Sequence, residues 1–316
     1  MLNIEHFEQI SLDGTWRFQL LHSPTEKLGK RWASIPVPGL WTMQEPSEVF
    51  FDKPIYTNTQ MPFEEQPPFV PAENPTGIYE RDFELPKSWA GKRVVLQVGG
   101  YESVALIHIN GQEVGLTKDS RLAAEFDVTQ YVRSGNNVVR IDVTKWSDAT
   151  FIEDQDQWWH GGITRSIKLY ATNKVFIEKF ATIAGLEKDL STGTLDVRAK
   201  ISSIDNEPTD GYSLHLSIRE LPKVKSATVS KVLKTFVAPI WTETPEEVAI
   251  AARDYFHAKF WNGNLPQSAR TAVSIMEPPP QGEIALNTRL PKVKAWSAEE
   301  PNLYTLDIEL RNPEGS

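Results

Sequence analysis

Val138-Val139-Arg140-Ile141-Asp142-Val143 is the stretch that decides the fold. Val139, Ile141 and Val143 recur at every second position, alternating with Val138, Arg140 and Asp142. Successive side chains of a strand point to opposite faces, so this spacing predicts a strand with one buried face. The same period appears elsewhere. Leu195, Val197, Ala199 and Ile201 alternate with Asp196, Arg198 and Lys200. Tyr212, Leu214, Leu216 and Ile218 form a third set, and Tyr304, Leu306, Ile308 and Leu310 a fourth. Asn110-Gly111, between Ile107-His108-Ile109 and Glu113-Val114, suits a type I′ hairpin turn, which needs positive φ at both positions. Short alternating strands punctuated by turn residues predict an all-β chain of antiparallel sandwiches.

The 316 residues are too many for one ordinary β-domain and fit two sandwich-sized units. A hydrophobic fraction of 40% and a charged fraction of 24% belong to a soluble globular protein. Ten tryptophans and fourteen phenylalanines supply cores, and faces for stacking on flat ligands such as sugar rings. The net charge of −9, with no long basic stripe, excludes a nucleic-acid partner. Without cysteine there is neither a disulfide framework nor a thiolate metal site. Met1-Leu2-Asn3-Ile4-Glu5-His6 lacks the basic start and apolar stretch of a signal peptide. No apolar run approaches bilayer length, so the expectation is a cytoplasmic protein with no membrane partner. The six histidines show no H-x-x-x-H spacing, and neither a phosphate-cradling glycine loop nor a G-x-S-x-G elbow occurs.

The expected domain boundary lies near Ala171-Thr172-Asn173-Lys174, giving units at residues 1–172 and 173–316. Residues 46–75 form a long irregular stretch whose prolines and aromatics (Pro54, Tyr56, Phe63, Phe69) suggest an ordered, packed loop. Thr244-Pro245-Glu246-Glu247 has the make-up of a helix start before Val248–Ala258, although a decorated loop is preferred. Asn206-Glu207-Pro208 sits in turn composition and reads as a hairpin loop. Lys118-Asp119-Ser120-Arg121 with Glu125-Phe126-Asp127 reads as an internally salt-bridged loop.

The richest constellation runs from Trp146 to His160, where four carboxylates and three tryptophans fall within fifteen residues. Carboxylates accept hydrogen bonds from sugar hydroxyls and hold hard cations, and aromatic faces stack on a pyranose. A solvated acidic loop with tryptophans plugging the sandwich core fits the same composition, and both readings stay open.

Five motifs then carry a resemblance. They are Pro54-Ile55-Tyr56-Thr57-Asn58; Pro67-Pro68-Phe69-Val70-Pro71-Ala72-Glu73-Asn74-Pro75-Thr76-Gly77; Asp119-Ser120-Arg121-Leu122 with Glu125-Phe126-Asp127; Trp146-Ser147-Asp148 with Glu153-Asp154-Gln155-Asp156; and Trp296-Ser297-Ala298-Glu299-Glu300-Pro301-Asn302-Leu303-Tyr304. In this order they resemble the N-terminal region of glycoside hydrolase family 2 β-galactosidases. The resemblance implies a jelly-roll-like, galactose-binding β-sandwich followed by an immunoglobulin-like β-sandwich. It places the catalytic glutamates in a barrel domain beyond residue 316, so no catalytic residue is expected in this chain. By motif match, Asp156 would bind galactose hydroxyls and help ligate sodium, and Asn58 would line the same pocket. Asp148 matches a position that helps hold magnesium in some relatives, but Lys118 stands where a glutamine is expected. The implied partners are a β-galactoside, the protein's own barrel domain and, as in many relatives, further copies of the chain. The alternatives are a stand-alone carbohydrate-binding module, or a β-glucuronidase or β-mannosidase of the same family. Two departures from the family are the long stretch from about Leu221 to Leu290 and the end of the chain soon after Tyr304–Leu310. The second predicts a sandwich with an exposed edge strand.

Overall fold

The computed structural model describes residues 6–58, 60–209, 211–221, 232–239 and 283–315. The helix start read at Thr244 lies outside them, as does most of the stretch from Leu221 to Leu290. Among the described residues the helical pieces are short 3₁₀ turns, at Trp41–Met43, Lys87–Trp89 and Asp148–Phe151, and the rest of the regular structure is β. The chain divides into two compact units, Met1–Asn173 and Lys174–Ser316.

The first unit is built on a six-stranded sheet and a four-stranded sheet, antiparallel throughout. In the larger, Gln112–Thr117, Val104–Ile109, Gly135–Thr144, Thr76–Leu85, Gly14–Leu21 and Ala33–Val37 lie side by side. The smaller orders Gln9–Ser11, Ile167–Thr172, Arg93–Val98 and Ala124–Asp127. Val139, Ile141 and Val143 are fully buried, as their spacing requires, and join Leu96, Val98 and Leu169 of the other sheet in one core. Asn110 and Gly111 have φ of 51° and 79°, the two positive angles that a type I′ turn needs.

Trp16, Trp41, Tyr79, Tyr101 and Phe18 are the largest fully buried side chains of this core. Burying each contributes roughly 1.5–3 kcal/mol. Tyr79 meets the edge of Phe18 at 4.8 Å, and its hydroxyl is buried without a hydrogen-bond partner among the described residues. Trp41 fits a slot that only glycine leaves open. A Cβ on Gly77 would come within 2.7 Å of the indole, and one on Gly161 within 2.1 Å.

Among the described residues, the second unit has two three-stranded antiparallel sheets. One orders Val175–Leu186, Gly193–Ser203 and Glu283–Leu290, and the other Val232–Pro239, Ser213–Glu220 and Tyr304–Arg311. Leu195, Val197, Ala199 and Ile201 pack with Leu214, Leu216 and Ile218 in its core. Tyr304, Leu306, Ile308 and Leu310 are only partly buried, and among the described residues Tyr304–Arg311 pairs on one side alone. Asn206-Glu207-Pro208 is not a hairpin loop, because Gly193–Ser203 and Ser213–Glu220 belong to different sheets. Asp205 and Asn206, with φ of 56° and 54°, turn the chain from one sheet to the other, and Lys174 pairs with Asp205 and Glu207 at 3.2 Å.

The orphaned Tyr79 hydroxyl leads to a stability prediction. A buried polar group left unpaired costs about 1–3 kcal/mol. Tyr79→Phe keeps the ring and removes that cost. The urea midpoint should therefore hold or rise, by the equivalent of about 1 kcal/mol; a clear fall would mean that the hydroxyl has a partner.

Candidate functional site

At one end of the larger sheet, Leu21, Thr76, Val104 and Thr144 lie in register, and the long loops of the first unit leave from there. One loop, residues 46–75, is the proline-rich stretch. Another, residues 145–161, is the acidic, tryptophan-rich one. They meet in a ribbon in which Ile55–Tyr56 pairs antiparallel with Trp158–Trp159.

The ribbon gathers the residues singled out in the sequence. Tyr56 donates its hydroxyl hydrogen to Asp156 Oδ1 at 2.7 Å. That bond to the carboxylate raises the Tyr56 pKa, since ionisation would set two negative charges together. The Tyr56 and Trp158 rings lie 5.5 Å apart, 48% and 54% exposed, beside the exposed Asp156. Trp159 points inward and donates from Nε1 to Thr57 Oγ1 at 2.8 Å. Asn58 follows directly and is exposed. Asn58 and Asp156, 98 positions apart in sequence, are thus carried on the two arms of one ribbon.

Beneath the ribbon the tryptophans are structural. Trp146 is buried and meets Trp159 edge-on at 5.5 Å and Phe63 at 5.3 Å, and Phe63 in turn meets Phe151 at 5.5 Å. Asn74 clips the Trp146 backbone, accepting from its N–H at 2.9 Å and donating to its carbonyl at 2.8 Å. Within the Trp146–His160 segment, Trp146 and Trp159 plug the interior as the packing reading has it, while Trp158 and Asp156 face solvent.

A buried charged pair lies deeper. Lys145 has a fully buried side chain, and its ammonium contacts both Asp52 carboxylate oxygens at 2.8 Å and the Lys53 carbonyl at 3.3 Å. Trp41 Nε1 donates to the same carboxylate at 2.7 Å. Burial pulls the Lys145 pKa down, and Asp52 opposes it. His160 hydrogen-bonds Thr42 through Nδ1 at 2.9 Å, and its pKa is lowered first by burial and then by the Lys145 charge.

Around these, Arg121 pairs with buried Glu102 at 2.6 Å, Ser120 donates through both N–H and hydroxyl to Glu153, and Lys118 grips both oxygens of Asp148 at 2.8 Å. Arg93 pairs with Asp127 at 2.8 Å. The Lys118–Asp127 segment is not the internally salt-bridged loop read in the sequence: Lys118, Arg121 and Asp127 pair with Asp148, Glu102 and Arg93 outside it, and Ala124–Asp127 is a strand. Sequence reasoning missed Tyr56 as the partner of Asp156, and it missed the Asp52–Lys145 pair altogether.

An antiparallel sandwich whose end loops hold an exposed carboxylate beside two aromatic rings has the build of a sugar-binding domain. Comparison with known proteins makes this specific. Residues 9–173 match the glycosyl hydrolases family 2 sugar binding domain, and residues 175–316 match a second domain of glycosyl hydrolases family 2. The chain belongs to glycoside hydrolase family 2. It is 31% identical over 318 residues to a β-galactosidase of Psychromonas ingrahamii, with 98% of the chain covered and 26% of the relative. To a β-galactosidase of Kluyveromyces lactis it is 33% identical over 316 residues, covering 97% of the chain and 28% of the relative. The chain thus spans about a quarter of the length of these relatives. Among solved structures, a Bacteroides uniformis β-glucuronidase matches 97% of the chain and 30% of its own at a TM-score of 0.63 and 17% identity, which speaks to the fold alone.

The two cation positions implied by the resemblance differ in how well their residues fit. Asp156 offers an exposed carboxylate whose Oδ2 has no hydrogen bond among the described residues, so it can supply one oxygen to sodium. Asp148 does not fit magnesium, because the Lys118 ammonium already occupies both of its oxygens. Among the described residues no group of three or more acidic or histidine side chains could hold a metal. With the Lys118 ammonium on both Asp148 oxygens, millimolar magnesium chloride should shift the chain's melting temperature by less than about 1 °C. A rise of several degrees with magnesium, lost in Asp148→Asn, would contradict the ammonium's role.

Proposed function

We propose that the chain is the non-catalytic N-terminal part of a β-galactosidase, which hydrolyses terminal β-D-galactosides of the lactose type with retention. The observation that carries this reading is the ribbon presenting Asp156, Asn58, Tyr56 and Trp158 to solvent. With Oδ1 engaged by Tyr56, the other Asp156 oxygen can accept from a galactose hydroxyl, and charge-assisted bonds of this kind are the stronger ones. The Asn58 amide can both donate and accept. The exposed aromatic faces suit the apolar face of the ring. Relatives 31–39% identical carry the name β-galactosidase, which supports the galactoside assignment. A sodium ion held in part by Asp156 would add ion–dipole attraction for a sugar hydroxyl. In a retaining mechanism two carboxyl groups about 5 Å apart act as nucleophile and acid/base. In this reading they belong to a barrel domain outside these residues, against which the sugar-binding loops complete the pocket.

The second reading is another family 2 specificity, β-glucuronidase above all. The solved structures favour it by name, but at 15–18% identity they carry no weight for substrate.

Kinetics separate these readings. Residues 1–316 alone should not hydrolyse a nitrophenyl β-galactoside. In the protein carrying the remaining family domains, Asp156→Ala should lower kcat/KM for that substrate about 10- to 100-fold, the worth of one lost hydrogen bond to a charged group. Faster turnover of the glucuronide would favour the second reading. Turnover by the isolated chain, abolished in Asp156→Ala, would put the chemistry in these residues and overturn the proposal.

A further inference from the structure

Lys145 occupies an unexpected position. It continues the inward series Val139, Ile141, Val143, so strand alternation delivers its side chain to the interior, where its ammonium is fully buried. Burying a charge is costly, and replacing a buried ion pair by apolar side chains of similar size is often neutral or stabilising. The pair is therefore poorly explained as a source of stability. What it does well is fix geometry, because an ammonium between two carboxylate oxygens and a carbonyl tolerates little displacement.

Its contacts show what is fixed. Asp52 lies three residues before the Ile55–Tyr56 arm of the ribbon, and Lys53 one residue nearer. Trp41, wedged against Gly77 and Gly161, holds Asp52 from a second side. Lys145 itself begins the loop that bears the other arm, and its backbone N–H donates to the Pro75 carbonyl at 3.0 Å. Its ammonium also lies 5.0 Å over the Trp146 ring, which packs on Trp159 of the ribbon. Apart from this clamp, the Ile55–Tyr56 arm is held by two residues of pairing, the Thr57–Trp159 bond and the Tyr56–Asp156 bond, while the other arm also packs through Trp159 on Trp146 and is followed by His160 on Thr42. Two-stranded ribbons are marginal in water even when longer.

We propose that Lys145 is a positioning residue of the sugar site: by clamping Asp52 it sets the two arms that carry Asn58 and Asp156. The clamp touches no sugar, and its link to substrate rests on the reading of Asn58 and Asp156 given above. Lys145→Arg keeps the charge. Asp52→Asn keeps an acceptor for Trp41 but removes the counter-charge of the buried ammonium. Lys145→Met removes the ammonium.

Amide hydrogen exchange of the 316-residue chain, read by mass spectrometry well below its unfolding temperature, tests the proposal. In Lys145→Met, peptides covering residues 52–58 and 156–160 should exchange at least about tenfold faster, while those covering 93–98 and 135–144 keep their wild-type rates. Asp52→Asn should show the same pattern, and Lys145→Arg, which keeps the charge, a smaller change than Lys145→Met. Should Lys145→Met fail to fold, Asp52→Asn supplies the answer alone. Acceleration spread evenly over loops and sheets would reduce the pair to general stability, and unchanged exchange in 52–58 would remove the clamp; either overturns the proposal. No sugar enters this measurement, so its failure would leave the galactoside reading standing. Failure of the Asp156→Ala kinetics would likewise leave the clamp standing.

Discussion

The ammonium of Lys145 and the carboxylate of Asp52, brought together across 93 positions of sequence, form the constraint on which the candidate site depends. A lysine at an inward position of a strand must find a partner or lose its charge, because apolar surroundings solvate it poorly. Here the partner comes from a loop rather than a neighbouring strand, so satisfying the charge also fixes the loop. Breaking such a pair by removing one member typically costs about 3–5 kcal/mol, since the other is left buried and unpaired. Trp41 ties the pair to the core, its indole seated against two glycines and its N–H on Asp52.

Above that anchor the site is layered. Trp146, Trp159, Phe63 and Phe151 form an aromatic floor, and the ribbon lies on it with Trp159 turned down and Trp158 turned out. The alternation of a two-residue strand thus separates a packing tryptophan from one free to meet a ligand. Tyr56 does something similar for Asp156, engaging one carboxylate oxygen by hydrogen bond while the carboxylate stays exposed. Lys118 makes the opposite arrangement at Asp148, where one ammonium engages both oxygens.

Much of this was legible in the sequence, and what was missed has physical reasons. Strands such as Gly135–Thr144 and Gly193–Ser203 show their period because one face is buried against a core over many residues. The Asn110-Gly111 turn was legible because few residues accept positive φ. The ribbon was not, since arms of two residues carry no period, and the bond from Tyr56 to Asp156 spans 100 positions. Asn58 and Asp156 came from motif resemblance, and composition alone could not separate Trp158 from Trp159. Lys145 did leave a signal, a charge in the inward register of an alternating strand, but nothing local identifies Asp52 as its partner. Asn206-Glu207-Pro208 was misread because turn composition does not reveal whether the next strand joins the same sheet or the facing one.

In the function proposed above, the ribbon meets galactose. A crystal structure of the protein carrying all of its family domains, with galactose bound, tests it most directly. A sugar hydroxyl should lie within about 3 Å of an Asp156 oxygen, with the Asn58 amide at hydrogen-bond distance from the same ring. Galactose bound at the catalytic centre with both side chains beyond about twice that distance, and no water bridging them, would contradict it.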